Sequence, residues 1–148
     1  MKVVLQRVQN AKVTVDEKTV GEIGAGYLIL LGICDEDTAQ TVEKMVDKIK
    51  KLRIFEDSDG KTNLSIDDAG GEILVVSQFT LYADCKKGNR PSFTKAGSPQ
   101  HAKALYEHFI NYSKDKFKKV AGGEFGAKMK VSLTNDGPFT LVLESDIL

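Results

Sequence analysis

Between residues 37 and 52 the apolar side chains of this 148-residue chain fall into step with a helix. Val42, Met45, Val46, Ile49 and Leu52 share one face, and Glu43, Lys44, Asp47, Lys48 and Lys51 share the other. Such a stripe has to be buried against a partner, and the sequence around it has the period of strands. Val13 and Val15 alternate with polar neighbours, Val20 and Ile23 follow a turn-like Asp16-Glu17-Lys18, and Gly24-Ala25-Gly26 opens the apolar run Tyr27-Leu28-Ile29-Leu30-Leu31. A helix set among strands is expected to pack on a sheet. Asp37, with Gln40 three residues on, supplies the pattern of a capping box at the helix start.

Downstream, residues 53–56 read as a strand entering the turn Asp57-Ser58-Asp59-Gly60. Gly70-Gly71 precedes another strand, Ile73-Leu74-Val75-Val76, which is expected to run on through Ser77-Gln78-Phe79-Thr80-Leu81-Tyr82. A polar, basic loop covers roughly 83–97. Ser98-Pro99 then starts a second helix, with Ala102, Leu105, Tyr106 and Phe109 turned inward. After a lysine cluster come Gly122-Gly123, a strand over 128–133, the hairpin-like turn Asn135-Asp136-Gly137-Pro138 and a final strand over 139–143. Residues 1–148 are thus expected to form one α+β domain with about two helices, and strands are numerous enough to suggest a small barrel.

Several function classes drop out. With 41% hydrophobic and 28% charged residues the composition is that of an ordinary globular chain, and no apolar run nears the roughly 20 residues of a membrane helix. Residues 1–7 turn polar too early for a signal-peptide core, so a cytoplasmic location is expected. Cys34 and Cys85 are too few and isolated for a disulfide framework or zinc site; Cys34 is expected to be buried and Cys85 exposed. The glycines of Gly21-Glu22-Ile23-Gly24-Ala25-Gly26 have the wrong spacing for a dinucleotide site. Placing Gly60 at the sixth position of a calcium loop would make Phe55 the first ligand, which it cannot be. His101 and His108 lie seven apart, not at the four-residue spacing of a helical zinc pair, and read as structural. No metal and no cofactor are expected.

Two segments stand out chemically. Ser77-Gln78-Phe79-Thr80 interrupts an apolar strand with side chains that, if buried, need hydrogen-bond partners. A substrate's carbonyl and hydroxyls can supply these, and a sheet face turning to solvent accounts for the pattern equally well. Asn135-Asp136-Gly137-Pro138 reads first as a hairpin turn, and a cis peptide that fixes two carbonyls in parallel would make it more than that. Charge adds a hint. The first 74 residues hold 14 acids against 10 Lys or Arg, whereas the remainder holds 7 against 11. Lys86, Lys87 and Arg90 cluster near the first segment, and Lys114, Lys116, Lys118 and Lys119 lie further on; such clusters contact phosphates or simply face water.

Together, Ser77-Gln78-Phe79-Thr80-Leu81-Tyr82-Ala83-Asp84 and Asn135-Asp136-Gly137-Pro138 closely resemble the D-aminoacyl-tRNA deacylase family. Leu5-Gln6-Arg7-Val8, Val20-Gly21-Glu22-Ile23-Gly24, Leu52-Arg53-Ile54-Phe55, Asn63-Leu64-Ser65, Arg90-Pro91-Ser92-Phe93, Phe125-Gly126-Ala127 and Met129-Lys130-Val131-Ser132-Leu133 extend the resemblance over essentially the whole chain. It implies a homodimer of small β-barrels with active sites at the interface. Ser77, Gln78, Phe79 and Thr80 of one subunit would line the pocket, and a cis Gly137-Pro138 would reach in from the other. Arg7 would hold that turn, and Met129 would join the substrate-binding set. Phe139 departs from the small β-branched residue expected after the Gly-Pro pair, and it points either into the core or toward the pocket.

The resemblance further implies hydrolysis of the ester joining a D-amino acid to the terminal ribose of tRNA. L-aminoacyl esters would be rejected because the Gly137 and Pro138 carbonyls fill the space of an L side chain, and glycyl esters, including glycine mischarged on tRNA(Ala), would be accepted. The partner is aminoacyl-tRNA, with no DNA and no membrane expected; Lys86, Lys87 and Arg90 are candidates for phosphate contact. Two routes stay open. Thr80 could attack as a nucleophile, but no base is evident for it. The substrate's ribose 2′-hydroxyl could instead assist while N–H groups near Phe79 and Thr80 hold the oxyanion, which suits a chain without a His–acid pair. A non-catalytic nucleic-acid-binding barrel and a small esterase without an RNA partner are the alternative readings.

Overall fold

The computed structural model describes residues 1–148. Its longest elements are two antiparallel strands, β1 (Lys2–Val15) and β8 (Lys130–Glu144), laddered along nearly their whole length. The opposite edge of β1 is divided. Its first half pairs with β3 (Gly26–Gly32) and its second half with β2 (Lys18–Ile23), through a two-residue turn in which Asp16 and Glu17 both have positive φ. Beyond β3 the sheet continues in parallel through β6 (Glu72–Ser77) to β7 (Val120–Gly122). The sheet then curls nearly shut, because β2 returns against β7. A Cβ on Gly21 would lie 2.2 Å from the Gly122 carbonyl oxygen, so only glycine permits that approach.

Alternation along the central strands splits the apolar residues into two cores. Tyr27, Ile29, Leu31, Ile73 and Val75 face the two helices, while Leu28, Leu74 and Val76 join Val8, Ala11, Val13 and Ile23 inside the curled sheet. Helix α1 (Ala39–Lys51) buries Val42, Met45, Val46 and Ile49, and α2 (Pro99–Ser113) buries Ala102, Leu105, Tyr106 and Phe109. Each large side chain so buried contributes about 1.5–3 kcal/mol, more than the helical propensity of any single residue. Between α1 and β6, β4 (Arg53–Glu56) and β5 (Thr62–Ser65) form a separate small hairpin.

Four details differ from the sequence expectation. The capping box of α1 uses Thr38 and Thr41; Asp37 is instead buried, accepting from the Cys34 N–H at 2.8 Å and from the Met1 amine at 2.6 Å. Cys34 is half-buried, although Cys85 is exposed. The strand at 73–76 stops at Ser77, and Phe79–Tyr82 is a short 3₁₀ turn. The reason lies in β3, whose next carbonyl, Ile33 O, already accepts from Gly97 N–H at 2.8 Å, which leaves β6 no edge to follow. Finally, residues 128–133 and 139–143 do not form a hairpin with each other. Residues 130–133 and 139–143 both belong to β8, which begins at Lys130 and not at 128, and β8 pairs with β1, so 135–138 is an excursion from one strand.

Candidate active site

Ser77 ends β6, and Gln78 makes the last bond to β3, donating its N–H to Leu31 O at 2.8 Å. The chain then tightens into the Phe79–Tyr82 turn. The leading N–H groups of such a turn, those of Phe79 and Thr80, have no acceptor within it. The Gln78 side-chain amide donates to the Thr80 hydroxyl. An amide is not a base whichever way it is turned, so this contact positions Thr80 Oγ1 without activating it. His101 and His108 are engaged elsewhere, His101 donating to the Asp37 carbonyl at 3.0 Å and His108 meeting Glu43 at 3.1 Å.

The turn stands at the rim of a cleft of about 550 Å³, at the open end of the smaller core. Ser77, Gln78 and Phe79 form its polar end. Phe93, Ala96 and Gly97 come from the basic loop, Pro99 and Ala102 from the start of α2, and Phe125, Gly126, Ala127 and Met129 from the segment leading into β8. A mostly apolar hollow with a few polar groups at one end suits a small organic ligand. Phe79 and Phe93 meet edge to face at its mouth, with centroids 5.2 Å apart. The α2 side is pinned by Asp35, which accepts from Ser98 N–H at 2.8 Å; that bond holds the Asp35 carboxyl below its usual range.

Residues 135–138 form a second constellation, apart from that cleft. Gln6 and Val8 of β1 lie opposite Thr140 and Asn135 of β8, so β8 carries three residues more than β1 at this point. The surplus leaves the ladder as a loop whose Gly137-Pro138 bond is cis and whose Gly137 has φ of +151°, a value that side chains disfavour. The loop is clamped on two sides. Arg7, 6% exposed, donates from Nε to Asp136 O at 2.9 Å and from Nη1 to Ile54 O at 2.7 Å. Asn135 Oδ1 accepts from Phe139 N–H at 2.7 Å, and its amide reaches Thr140 Oγ1 at 3.1 Å. Phe139 packs against the larger core with the Arg7 guanidinium 4.7 Å from its ring centroid, so its side chain serves the clamp. Tyr27 lies opposite Arg7 in register; burial pushes its hydroxyl well above the usual tyrosine range, with Arg7 opposing.

The structure therefore brings Ser77, Gln78, Phe79 and Met129 together along one cleft, with Thr80 beside it. Arg7, Gly137 and Pro138 are grouped elsewhere, and Gly137 and Pro138 are exposed. Lys86, Lys87 and Arg90 are exposed on the loop and do not line the cleft; Lys86 borders a neighbouring shallow groove with Lys2, Tyr82 and Lys95. No three His, Cys, Asp or Glu side chains converge as a metal site. Sequence reasoning gave no role to Phe93 or Phe125. A lone phenylalanine in a basic loop was the available signal for the first.

Comparison with known proteins gives this geometry a context. A family model described as D-Tyr-tRNA(Tyr) deacylase matches residues 4–144. A D-aminoacyl-tRNA deacylase of Clostridioides difficile (strain 630) is 55% identical over 145 residues, covering 98% of this chain and 97% of that one. One from Thermotoga petrophila is 54% identical over 148 residues, covering 100% and 99%. Among solved structures, the c-Myc DNA unwinding element binding protein superposes with a TM-score of 0.91 at 44% identity, over 97% of this chain and 98% of that one. A probable eukaryotic D-amino acid tRNA deacylase has the same fold, with a TM-score of 0.82 at 20% identity over 96% and 97%.

Proposed function

The chain belongs to the D-Tyr-tRNA(Tyr) deacylase family and is a hydrolase of D-aminoacyl-tRNA, and from that premise we propose that its single domain, residues 1–148, cleaves the ester in the cleft beside residues 77–80. The observation that supports this placement is the turn at residues 79–82, whose leading N–H groups, those of Phe79 and Thr80, have no acceptor within it, with Phe79 at the polar end of an otherwise apolar hollow and Thr80 beside it. In the proposed reaction water adds to the ester carbonyl, and the oxyanion accepts from those two donors. The ribose 2′-hydroxyl passes its proton to the departing 3′-oxygen as it takes one from the attacking water. Free D-amino acid and tRNA result. Thr80, bonded to an amide, positions and does not attack.

Stereochemistry is assigned to the other constellation. The Gly137 and Pro138 carbonyls would occupy the volume of an L side chain and leave D-aminoacyl and glycyl esters room, including glycine on tRNA(Ala). The clamped loop is exposed and absent from its own subunit's cleft, which favours its insertion into the cleft of a second copy. The outer edge of β8 is unpaired within the chain, and Val142 there is 66% exposed, as an interface strand would be. These features support a homodimer with shared sites. Lys86, Lys87 and Arg90 are assigned to tRNA phosphates; changing all three to Ala should flatten the salt dependence of tRNA binding, and an unchanged slope would refute that role. No helix is long and apolar enough to cross a membrane; action on tRNA supports a cytoplasmic location.

The test uses D-tyrosyl-tRNA, L-tyrosyl-tRNA and D-tyrosine ethyl ester. Release of D-tyrosine from tRNA, with the L-ester spared and the free ester cleaved slowly, supports the proposal. Binding without release, or equal cleavage of the free ester, refutes it.

A further inference from the structure

We propose that Phe93 is a stacking platform for the nucleobase that precedes the terminal adenosine of the aminoacylated tRNA. The proposal rests on the placement of the ester beside residues 77–80. A cleft of about 550 Å³ is the size of a site for one small ligand, here an aminoacylated nucleoside, so the preceding nucleotide has to lie at the mouth. What the mouth offers is aromatic: Phe79 is 54% exposed and Phe93 36%. Their edge-to-face contact, 74° between planes, fixes both rings and leaves aromatic surface in water.

Phe93 also sits in unusual company. Its loop is polar and basic, with Lys86, Lys87, Arg90 and Lys95 nearby in sequence, so its ring is not covered by apolar neighbours from the same segment. Yet the loop is anchored. Asp84 and Ser92 exchange two backbone hydrogen bonds at 2.7 and 2.9 Å, Ala96 N–H donates to Phe93 O at 3.0 Å, and Lys95 pairs with Asp84 at 3.6 Å. A ring held in place at low entropic cost, beside cations able to meet a phosphate, is the combination by which proteins hold single-stranded RNA. Phe79 is tied to the chemistry through its N–H, which leaves Phe93 to hold the strand. It is a positioning residue.

The experiment compares wild type, Phe93→Leu and Phe93→Tyr on D-tyrosyl-tRNA and on 3′-O-D-tyrosyl-adenosine, which has no second base. Phe93→Leu should raise KM for the tRNA roughly tenfold, the scale of one lost base–aromatic stack. Its kcat on tRNA should not change, its KM for the adenosine ester, whose cleft Phe93 borders, should rise far less than its KM for the tRNA, and Phe93→Tyr should behave as wild type. On D-tyrosyl-tRNA made abasic at the penultimate position, wild type should already show the raised KM and Phe93→Leu should add no more than it does on the adenosine ester. Equal losses on tRNA and adenosine ester, no loss on either, or a loss on the abasic tRNA larger than that on the adenosine ester would overturn the proposal, as would a change of oligomeric state in Phe93→Leu. A wild-type protein inactive on both esters would instead contradict the cleft assignment beneath it.

Discussion

The two segments that leave their strands near the proposed site do so in opposite ways. Residues 136–139 bulge out of β8 and are clamped by a buried Arg7 from below and by Asn135 alongside. The Phe79–Tyr82 turn is largely exposed at its start, and its side-chain hydrogen bond, Gln78 to Thr80, is internal to the segment. On the proposed division of labour, the 136–139 loop is an obstacle that sorts substrates by shape and has to keep its position under load, which its charge-assisted bond to buried Arg7 suits. On the same proposal the Phe79 and Thr80 N–H groups are donors for an oxyanion and must be free until substrate arrives, and neither has an acceptor within the turn. If selection and chemistry are separated in this way, perturbing one should spare the other.

The largest effect is expected on the chemical side. Replacing the terminal ribose by its 2′-deoxy form should lower kcat at least about a hundredfold, the usual worth of a positioned acid–base group, whereas Thr80→Ala should cost less than about tenfold. Near-complete loss of turnover in Thr80→Ala would make the threonine a nucleophile and erase the distinction. On the selection side, Arg7→Leu removes two bonds to backbone carbonyls and should cost roughly 3 kcal/mol of stability by denaturant melting. Hydrolysis of L- relative to D-tyrosyl-tRNA should rise at least about tenfold in that variant, with kcat for the D-ester nearly kept. Collapse of D-ester turnover with selectivity intact would assign Arg7 to the chemistry.

The smallest effect lies beneath the clamp. Tyr27 is fully buried, and its hydroxyl has no hydrogen-bond partner. Tyr27→Phe should leave stability unchanged or raise it by about 1 kcal/mol. It should also alter alkaline behaviour. The folded-state pKa of Tyr27 lies above that of an unfolded tyrosine, ~10, so its contribution is intact below pH 10 and stability falls as the pH rises beyond it. Tyr27→Phe should make that fall shallower without removing it, since burial also raises Tyr82 and Tyr106. A loss of stability at neutral pH would show that the hydroxyl is bonded.

Much of this was legible in local pattern. The helical stripe at 42–52, the alternating strands, the inward face of α2 and the Asp16-Glu17 turn each depend on neighbours in sequence. What escaped depends on distant ones. Phe-Thr-Leu-Tyr is a good strand sequence, and it turns because Gly97 has taken the edge of β3. Asn-Asp-Gly-Pro is a good hairpin turn, and it becomes a strand excursion because both flanks pair with β1. The cap moved from Asp37 to Thr38 because the carboxylate found a buried amine. The strand Val120–Gly122 carries two small residues and little strand signal, and is recruited by β6 and by the approach of Gly21. The motif at 77–80 was recognisable as a string of residues; its separation from Gly137-Pro138 within one subunit was not.

Under the proposal, that separation means that a clamped loop of one subunit polices the cleft of another. The direct measurement uses a heterodimer purified through two different tags. One subunit carries Arg7→Leu and an open cleft; its partner keeps Arg7 but has its cleft filled by Ala127→Trp. In that heterodimer the working cleft faces an intact loop, so hydrolysis should regain the wild-type preference for D- over L-tyrosyl-tRNA that the Arg7→Leu homodimer has lost. If the heterodimer cleaves the L-ester as readily as the Arg7→Leu homodimer does, the loop acts within its own subunit and the account is wrong.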